Sequence, residues 1–330
     1  AGNLRQSQSL RKPKELQTLM LESFGLGTKK PMQARLRHGW LLLIAAVVSG
    51  VSIIATAQAP PALPALTSPA SGERIPGKFV WFDLATPNLG EAQAFYQDVF
   101  GWTYRSPGPS AEEYVLVLNG GQAIAGLFQA EPASGEQDGA TWLALMSVED
   151  VDRAVATARS AGATVEVEPA DVPARGRHAL LRDPADAIFG VLHSSSGDPV
   201  DAEVPIGGIF WVDLFARDVD AMTAFYAQLA PYEVTARQIA EAGEGRFLNA
   251  GGMPRAGLVP VDEEANRSAW VPYVRVADVQ ATLDKAVEGG GFVIVAPDPA
   301  ILDGNLGVFV DPNGGVTGAV RWDYDRGVQP

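Results

Sequence analysis

The chain repeats itself once after Gly77, and this repeat restricts the fold more than any other feature. KFVWFDLATPN recurs as GIFWVDLFARD, so that Trp211 follows Trp81 by 130 residues. TWLALMSVEDVDRAV recurs as AWVPYVRVADVQATL, and LLRDPADAIFGV recurs as VFVDPNGGVTGA, both at a spacing of 128 residues. This period is too long for a solenoid and indicates a duplicated domain.

Each half reads as short strands and two helices. FVWFDL, YVLVLN and AIAGLFQ are apolar runs with the β-branched and aromatic residues typical of strands. Residues 88–100 and 151–161 show helical spacing of apolar residues, and Gly101 and Gly162 follow them as helix-ending glycines do. The order is β-α-β-β followed by β-α-β-β-β, which predicts either two βαβββ-like units per half or one unit with an inserted helix.

The N-terminal region has the features of a targeting segment. Residues 1–38 are basic, and residues 39–57 carry no charge. Either 39–57 is the apolar region of a signal peptide cleaved after Ala57, or it is an uncleaved transmembrane anchor. A start at Met32 would give a signal peptide of ordinary proportions, and residues 1–31 would then not be translated. Both interpretations predict export, to the periplasm or exterior or to the outer face of the cytoplasmic membrane.

The rest of the chain divides into three parts. Residues 58–76 are rich in Pro and Ala without periodicity, which predicts an extended, semi-rigid linker. Module 1 is expected at 77–195 and module 2 at 205–323. Membrane contact is expected only through the N-terminal segment.

Composition excludes several classes of function. The net charge of −14 argues against nucleic-acid binding. The chain has no cysteine, which excludes disulfides, thiolate metal sites and a cysteine nucleophile. The sequence also has no phosphate loop, nucleophile elbow or HExxH motif.

The order of motifs resembles a known superfamily. A strand, the FYxxxFGW helix, a Gly-Gly hairpin and a turn beginning with Asp-Pro before the last strand are similar to the vicinal-oxygen-chelate superfamily of glyoxalases, bleomycin-resistance proteins and extradiol dioxygenases. WFDL and FGW resemble its duplicated, hydroxylase-like members. The resemblance covers residues 77 to about 323. It implies an α+β fold of two tandem modules, each a curled sheet around a cavity, but it does not fix an activity.

The resemblance also implies where a metal would be held. Enzymatic members place a His on the first strand of a module and a Glu on the last. The corresponding first-strand positions are Trp81 and Trp211, and the last-strand positions fall near Gly190 and near Gly318 or its neighbour. None of these side chains can bind a metal, and strand alternation predicts that His193 points away from the cavity. We therefore expect no metal and no cofactor.

Two Trp–Asp pairs are the candidate ligand-binding residues. Trp81 and Asp83, like Trp211 and Asp213, lie two residues apart on one strand and so share a face. A planar ligand could stack on the indole, and a donor or cation could pair with the carboxylate. The alternative is that the Trp residues belong to the core and the Asp residues cap loops. An inward Asp without a donor would be costly to bury.

Two further groups have structural and functional interpretations. Arg177, His178 and Arg182 could serve an acidic ligand or form a solvated strand end. Asp183 and Asp311 are expected to fix the turns before the last strands.

Three functions remain open from the sequence. The first is a metal-independent binding protein for a small planar or apolar molecule. The second is a glyoxalase- or dioxygenase-type enzyme, a lyase or an oxidoreductase, with a degenerate or relocated site. The third is a non-catalytic scaffold. The sequence also leaves open whether the modules pair within one chain or across a homodimer.

Overall fold

The computed structural model describes residues 63–108, 114–130, 139–239, 243–261 and 268–324. The predicted basic region at 1–38, the apolar segment at 39–57 and the start of the predicted linker lie outside these residues. None of the helices within the described ranges is long and apolar enough to cross a bilayer.

Module 1 contains eight strands and two helices. They are β1 (Phe79–Thr86), α1 (Leu89–Phe100), β2 (Thr103–Arg105), β3 (Tyr114–Asn119), β4 (Gln122–Gln129), β5 (Thr141–Ser147), α2 (Val151–Ser160), β6 (Thr164–Val172), β7 (Gly176–Arg182) and β8 (Ile188–Ser194). The three-residue strand β2 was not predicted, because it is too short to show alternation.

Module 2 repeats the same order. It contains β9 (Ile209–Ala216), α3 (Val219–Tyr226), β10 (Glu233–Ile239), β11 (Gly243–Ala250), β12 (Met253–Pro260), β13 (Ala269–Arg275), α4 (Val279–Glu288), β14 (Phe292–Val295), a 3₁₀ turn (Leu302–Gly304), β15 (Leu306–Val310) and β16 (Val316–Val320). Each module is therefore two βαβββ units, and the predicted fold class is confirmed.

Local sequence sets the ends of the helices. Asn88 caps α1 by accepting a hydrogen bond from the Glu91 amide, and Asp150, Asp218 and Asp278 cap the other three helices in the same way. Gly101 ends α1 at a φ of 75°, in the left-handed region that glycine enters without steric cost.

The two units of a module join edge to edge. The sheet of module 1 has the order β2-β3-β4-β1-β5-β8-β7-β6, and that of module 2 has the equivalent order β10-β11-β12-β9-β13-β16-β15-β14. The central strands β1 and β5 pair antiparallel, whereas β1 with β4 and β5 with β8 pair parallel. Each sheet has one face toward the helices and one face toward a cup that is separate from the other module.

The helix-covered faces of the two modules share one hydrophobic core. Phe82, Tyr96 and Trp142 of module 1 belong to the same buried cluster as Leu214 and Phe309 of module 2. Helix α1 packs against α4 of the other module. The modules therefore pair within one chain, and the cups lie on the opposite faces of the sheets from this interface.

The segment before the first strand packs on module 1. The Thr67 amide donates to the Ser196 hydroxyl at 3.0 Å, and the Ile75 amide donates to Asp198 at 2.7 Å. We call residues 63–76 the strap.

Candidate functional site

The cup of module 1 contains a buried carboxylate held by two donors. Trp81 and Asp83 both point into the cup. The Trp81 indole donates to Asp83 Oδ1 at 2.9 Å, and the Tyr114 hydroxyl donates to the same oxygen at 2.8 Å. Asp83 is 1% exposed. Burial raises the pKa of Asp83, while the two hydrogen bonds and the charge of Arg175 oppose that rise.

An arginine covers the indole in this cup. Arg175 lies in the turn between β6 and β7, and its guanidinium carbon is 4.0 Å from the centre of the Trp81 ring. This distance is typical of a cation–π contact. Arg175 is 2% exposed, yet none of its three guanidinium nitrogens has a hydrogen-bond partner among the described residues.

The strap closes the same cup. Leu63 is 3% exposed and belongs to the buried cluster that contains Trp81, Tyr114 and Leu145. Leu66 packs against this cluster and is partly buried. The chain therefore supplies its own apolar occupant at the mouth of cup 1.

The cup of module 2 repeats the Trp–Asp pair with different neighbours. The Trp211 indole donates to Asp213 Oδ1 at 2.7 Å. Arg237 reaches to 3.8 Å from that oxygen and lies 4.6 Å from the centre of the Phe247 ring. Trp211 and Phe247 meet edge to face with their ring centres 5.8 Å apart. Burial raises the pKa of Asp213, and Arg237 opposes the rise more strongly than the hydrogen bonds do.

A glycine beside each carboxylate makes room for it. A Cβ atom at Gly126 would overlap Asp83 Oδ1, and a Cβ atom at Gly257 would overlap Asp213 Oδ1. In both modules the aspartate packs against the neighbouring strand, and the position that it contacts there is a glycine without a side chain. This shared arrangement makes the carboxylate a feature of the duplicated unit.

The two cups differ in access. The side chain of Arg237 is 23% exposed and Trp211 is partly exposed, whereas Arg175 and Trp81 are 2% and 5% exposed. Cup 2 is therefore partly open in this structure, and cup 1 is closed.

Family models match both halves of the chain. The model of the glyoxalase/bleomycin resistance protein/dioxygenase superfamily matches residues 78–189, and the model of a glyoxalase-like domain matches residues 210–317. The chain belongs to the glyoxalase/bleomycin resistance/dioxygenase superfamily. The resemblance inferred from the repeat is thereby confirmed.

Curated members of the superfamily align with nearly their whole length. CFP32 of Mycobacterium tuberculosis, named as a candidate glyoxylase, is 27% identical over 256 residues, which is 77% of this chain and 98% of CFP32. The anthracycline biosynthesis protein DnrV of Streptomyces peucetius is 28% identical over 255 residues, covering 72% of this chain and 91% of DnrV.

Solved structures of the superfamily share the fold. A Mn(II)-bound glyoxalase from Novosphingobium aromaticivorans superposes with a TM-score of 0.52 at 17% identity and covers 75% of this chain and 82% of its own. A variant of homoprotocatechuate 2,3-dioxygenase from B. fuscum superposes with a TM-score of 0.53 at 15% identity, covering 78% of this chain and 74% of its own.

The glycines near the last-strand metal positions that the resemblance implies are tightly packed. A Cβ atom at Gly190 would lie 2.6 Å from Leu145 Cγ, and one at Gly318 would overlap the ring of Tyr273. Neighbouring side chains therefore fill the space that a longer ligating residue would need. Within the described ranges, no group of three His, Cys, Asp or Glu side chains is placed to hold a metal ion.

The other basic residues singled out from the sequence do not form one group. Arg177 pairs with Asp152 on the surface, and Arg182 pairs with Glu166. His178 is buried, and burial together with the charge of Arg175 lowers its pKa to about 4, so that it is neutral at pH 7.

Two more predicted residues have structural contacts. The Nδ1 atom of His193 lies 3.2 Å from the Val148 carbonyl oxygen. Asp183 Oδ1 accepts from the amides of Ala185 and Ala187 and so fixes its turn.

Sequence reasoning missed the residues that surround the Trp–Asp pairs. They are Tyr114 and Arg175 in cup 1 and Arg237, Phe247 and Tyr273 in cup 2. In the two halves these neighbours come from positions that do not correspond in the repeat. A comparison of the two halves therefore gives no signal for them, and the repeat reveals only the Trp–Asp pairs.

Proposed function

We propose that this chain binds a small planar or apolar molecule in its cups and does so without the metal ion used by enzymes of the superfamily. The observation that carries the proposal is that each cup holds an indole, a buried carboxylate and an arginine on an aromatic ring. Structural packing alone does not require this combination, because burying charged groups in an apolar cup is costly.

The chemistry of cup 2 supports a planar ligand. Trp211 and Phe247 present aromatic surface, and the Arg237 side chain near them remains partly exposed. Asp213 can accept a hydrogen bond from a hydroxyl or amine of the ligand. Anthracyclines contain planar fused rings, so the similarity to DnrV supports this ligand class.

Several residues support binding without a metal. The resemblance implies that Trp81 and Trp211 stand where the superfamily's enzymes carry a histidine, and that Gly190 and Gly318 lie at or near the glutamate positions. Side chains packed against the two glycines leave no room for a longer side chain there. Carboxylate and imidazole ligands are what a metal of this superfamily would need.

Metal content and ligand binding of the full chain test the proposal. The protein is purified without chelator, analysed for metals, and melted with and without EDTA and added Zn²⁺, Ni²⁺, Mn²⁺ or Fe²⁺. We expect no stoichiometric metal and no shift in Tm, and we expect a panel of planar compounds to contain a binder that raises the Tm. A stoichiometric metal, or stability lost in EDTA, would contradict the proposal and favour a lyase or dioxygenase.

A matched pair of variants locates the binder. Arg237→Met removes a cation that faces cup 2. Arg246→Met removes a cation from the adjacent strand; Arg246 pairs with Asp220 on the opposite face of the sheet. We expect only Arg237→Met to change the affinity for the compound identified in the panel. Equal effects of both substitutions would place binding outside the cup.

We also propose that the modules work outside the cytoplasm. Support comes from the uncharged run at 39–57 behind a basic flank. Alkaline phosphatase fused to the C-terminus should be active in a bacterial host, because this enzyme requires an oxidising compartment to form its disulfides. An inactive phosphatase fusion together with a fluorescent cytoplasmic fusion would contradict export.

A further inference from the structure

The guanidinium of Arg175 is a buried cation that lacks a hydrogen-bond partner within the described part of the chain. Its three nitrogens are enclosed, and the residue as a whole is 2% exposed. A guanidinium has five N–H donors in a planar fork, and leaving them unused in an apolar cup is unfavourable. Such an arrangement is typical of a site whose partner comes from outside the chain.

The acidic groups that the structure describes around Arg175 do not form an ion pair with its guanidinium. Asp83 is the nearest acidic group, but its Oδ1 already accepts from Trp81 and Tyr114, and no ion pair joins it to Arg175 within 4.0 Å among the described residues. His178 is neutral at pH 7 because burial and Arg175 lower its pKa. The cup therefore holds a cation that its own residues leave available for an anion.

The walls of cup 1 beside Trp81 are largely apolar. The buried cluster that contains Trp81 also contains Leu116, Leu143, Leu145, Leu180 and Leu192, with Leu63 of the strap. A small, fully hydrated anion without an apolar body would gain nothing from contact with these walls. An aromatic acid would gain from both the walls and the guanidinium.

We infer that cup 1 binds the carboxylate of a small aromatic acid on Arg175, and that the acid displaces Leu63 of the strap. This inference rests on the proposed function and names its ligand class. The planar fork of Arg175 matches the two oxygens of a carboxylate, and its stacking on Trp81 holds the fork in one plane. Leu63 occupies the apolar space until the ligand arrives.

A pair of isosteric probes tests the inference on the unmodified full chain. Isothermal titration compares 2-naphthoate with 2-naphthamide, which differ in charge but hardly in shape. A charge-assisted pair of hydrogen bonds corresponds to a gain of about 10- to 100-fold in affinity, so the Kd for naphthoate should be lower by that factor. Equal Kd values for the two probes would overturn the inference.

Variants assign the effect to the cup. Arg175→Met should weaken naphthoate binding by about 10-fold or more and leave naphthamide unchanged. Arg159→Met, which removes an exposed arginine paired with Glu168 on the same module, is the control and should leave both unchanged. Naphthoate binding that survives Arg175→Met, or that falls equally in Arg159→Met, would overturn the inference.

Leu63→Ala tests the displacement. Removing the occupant should lower the Kd for naphthoate, and an unchanged or higher Kd would overturn displacement by the ligand. The result also separates this inference from the proposed function. If neutral planar compounds bind and the carboxylate adds nothing, the inference alone fails; if no planar compound of either charge binds, both fail.

Discussion

The hydroxyl of Tyr96 in module 1 donates a 2.9 Å hydrogen bond to Asp311 in module 2, and Tyr226 in module 2 donates an equal bond to Asp183 in module 1. All four residues are buried. Each module thus places the tyrosine of its first helix on the Asp-Pro turn of the other. The repeated sequence therefore specifies the joining of the modules as well as their fold.

Removing either tyrosine hydroxyl should weaken the joined pair. In Tyr96→Phe and Tyr226→Phe, the buried carboxylate loses a donor, which costs about 1–3 kcal/mol of unfolding free energy. The two bonds share no residue, so the double substitution should be close to additive. Urea unfolding monitored by tryptophan fluorescence measures both effects.

Tyr104→Phe is the control for these substitutions. The Tyr104 hydroxyl is buried without a partner among the described residues, so its removal should cost little or should stabilise the protein. If Tyr104→Phe destabilises as much as Tyr96→Phe, loss of the hydrogen bond does not explain the effect.

The stability of the protein should depend on the protonation of Asp183. Burial raises its pKa from 3.8 to about 6 in the folded protein. A raised pKa means that the folded state binds the proton more tightly, so Asp183 favours folding most below about pH 4 and loses this contribution as the pH rises to about 6. The shift corresponds to about 3 kcal/mol.

Asp183→Asn isolates this dependence. Between pH 4 and pH 7, the unfolding free energy of the wild type should fall by about 2–3 kcal/mol relative to that of Asp183→Asn. Urea unfolding at each pH measures it. A difference that stays constant over this range would show that Asp183 does not titrate there.

The repeat predicted the fold because each half carries its own turns and apolar periods. Gly101 and the caps at Asp150 and Asp278 have local signals, so the helix ends could be predicted. The pairing of the modules could not, because Tyr96 and Asp311 lie far apart in the chain and each has a sufficient local explanation. From the sequence, Tyr96 is interpreted as a residue that packs its helix on the sheet, and Asp311 is interpreted as a turn residue.

The candidate site could likewise be predicted only where a local sequence pattern exists. Strand alternation placed Trp81 and Asp83 in one cup without further information. Arg175 could not be found in this way, because it sits in a turn and no periodic pattern relates it to Trp81. The strap was predicted as a linker from its composition, and composition carries no information on whether Leu63 finds an apolar cup to enter.

Substitution of Gly190 or Gly318, which lie near the metal positions that the resemblance implies, should destabilise the protein. At Gly318 a methyl group meets the Tyr273 ring, and at Gly190 it meets Leu145. Gly318→Ala and Gly190→Ala should each lower the unfolding free energy by about 1–3 kcal/mol, the usual cost of overpacking. Thermal and urea unfolding measure the loss.

Gly90 provides the matched control. It lies in the first turn of α1, where an added Cβ would meet only the Asn88 side chain at 3.8 Å. Gly90→Ala should therefore be neutral or stabilise the protein by up to about 1 kcal/mol through helix propensity. A loss in Gly90→Ala equal to that in Gly318→Ala would contradict overpacking as the cause.

Two buried arginines should respond in opposite ways to methionine. The Arg175 guanidinium has no hydrogen-bond partner among the described residues, so Arg175→Met removes an unsatisfied cation, keeps a long side chain over Trp81 and should raise the Tm of the ligand-free protein. Arg255 donates to both carboxylate oxygens of Asp201 at 2.6 and 3.0 Å. Arg255→Met should lower the unfolding free energy by about 1.5–3 kcal/mol because these charge-assisted bonds are lost. A lower Tm in Arg175→Met would mean that the folded protein satisfies the guanidinium, for example by buried water.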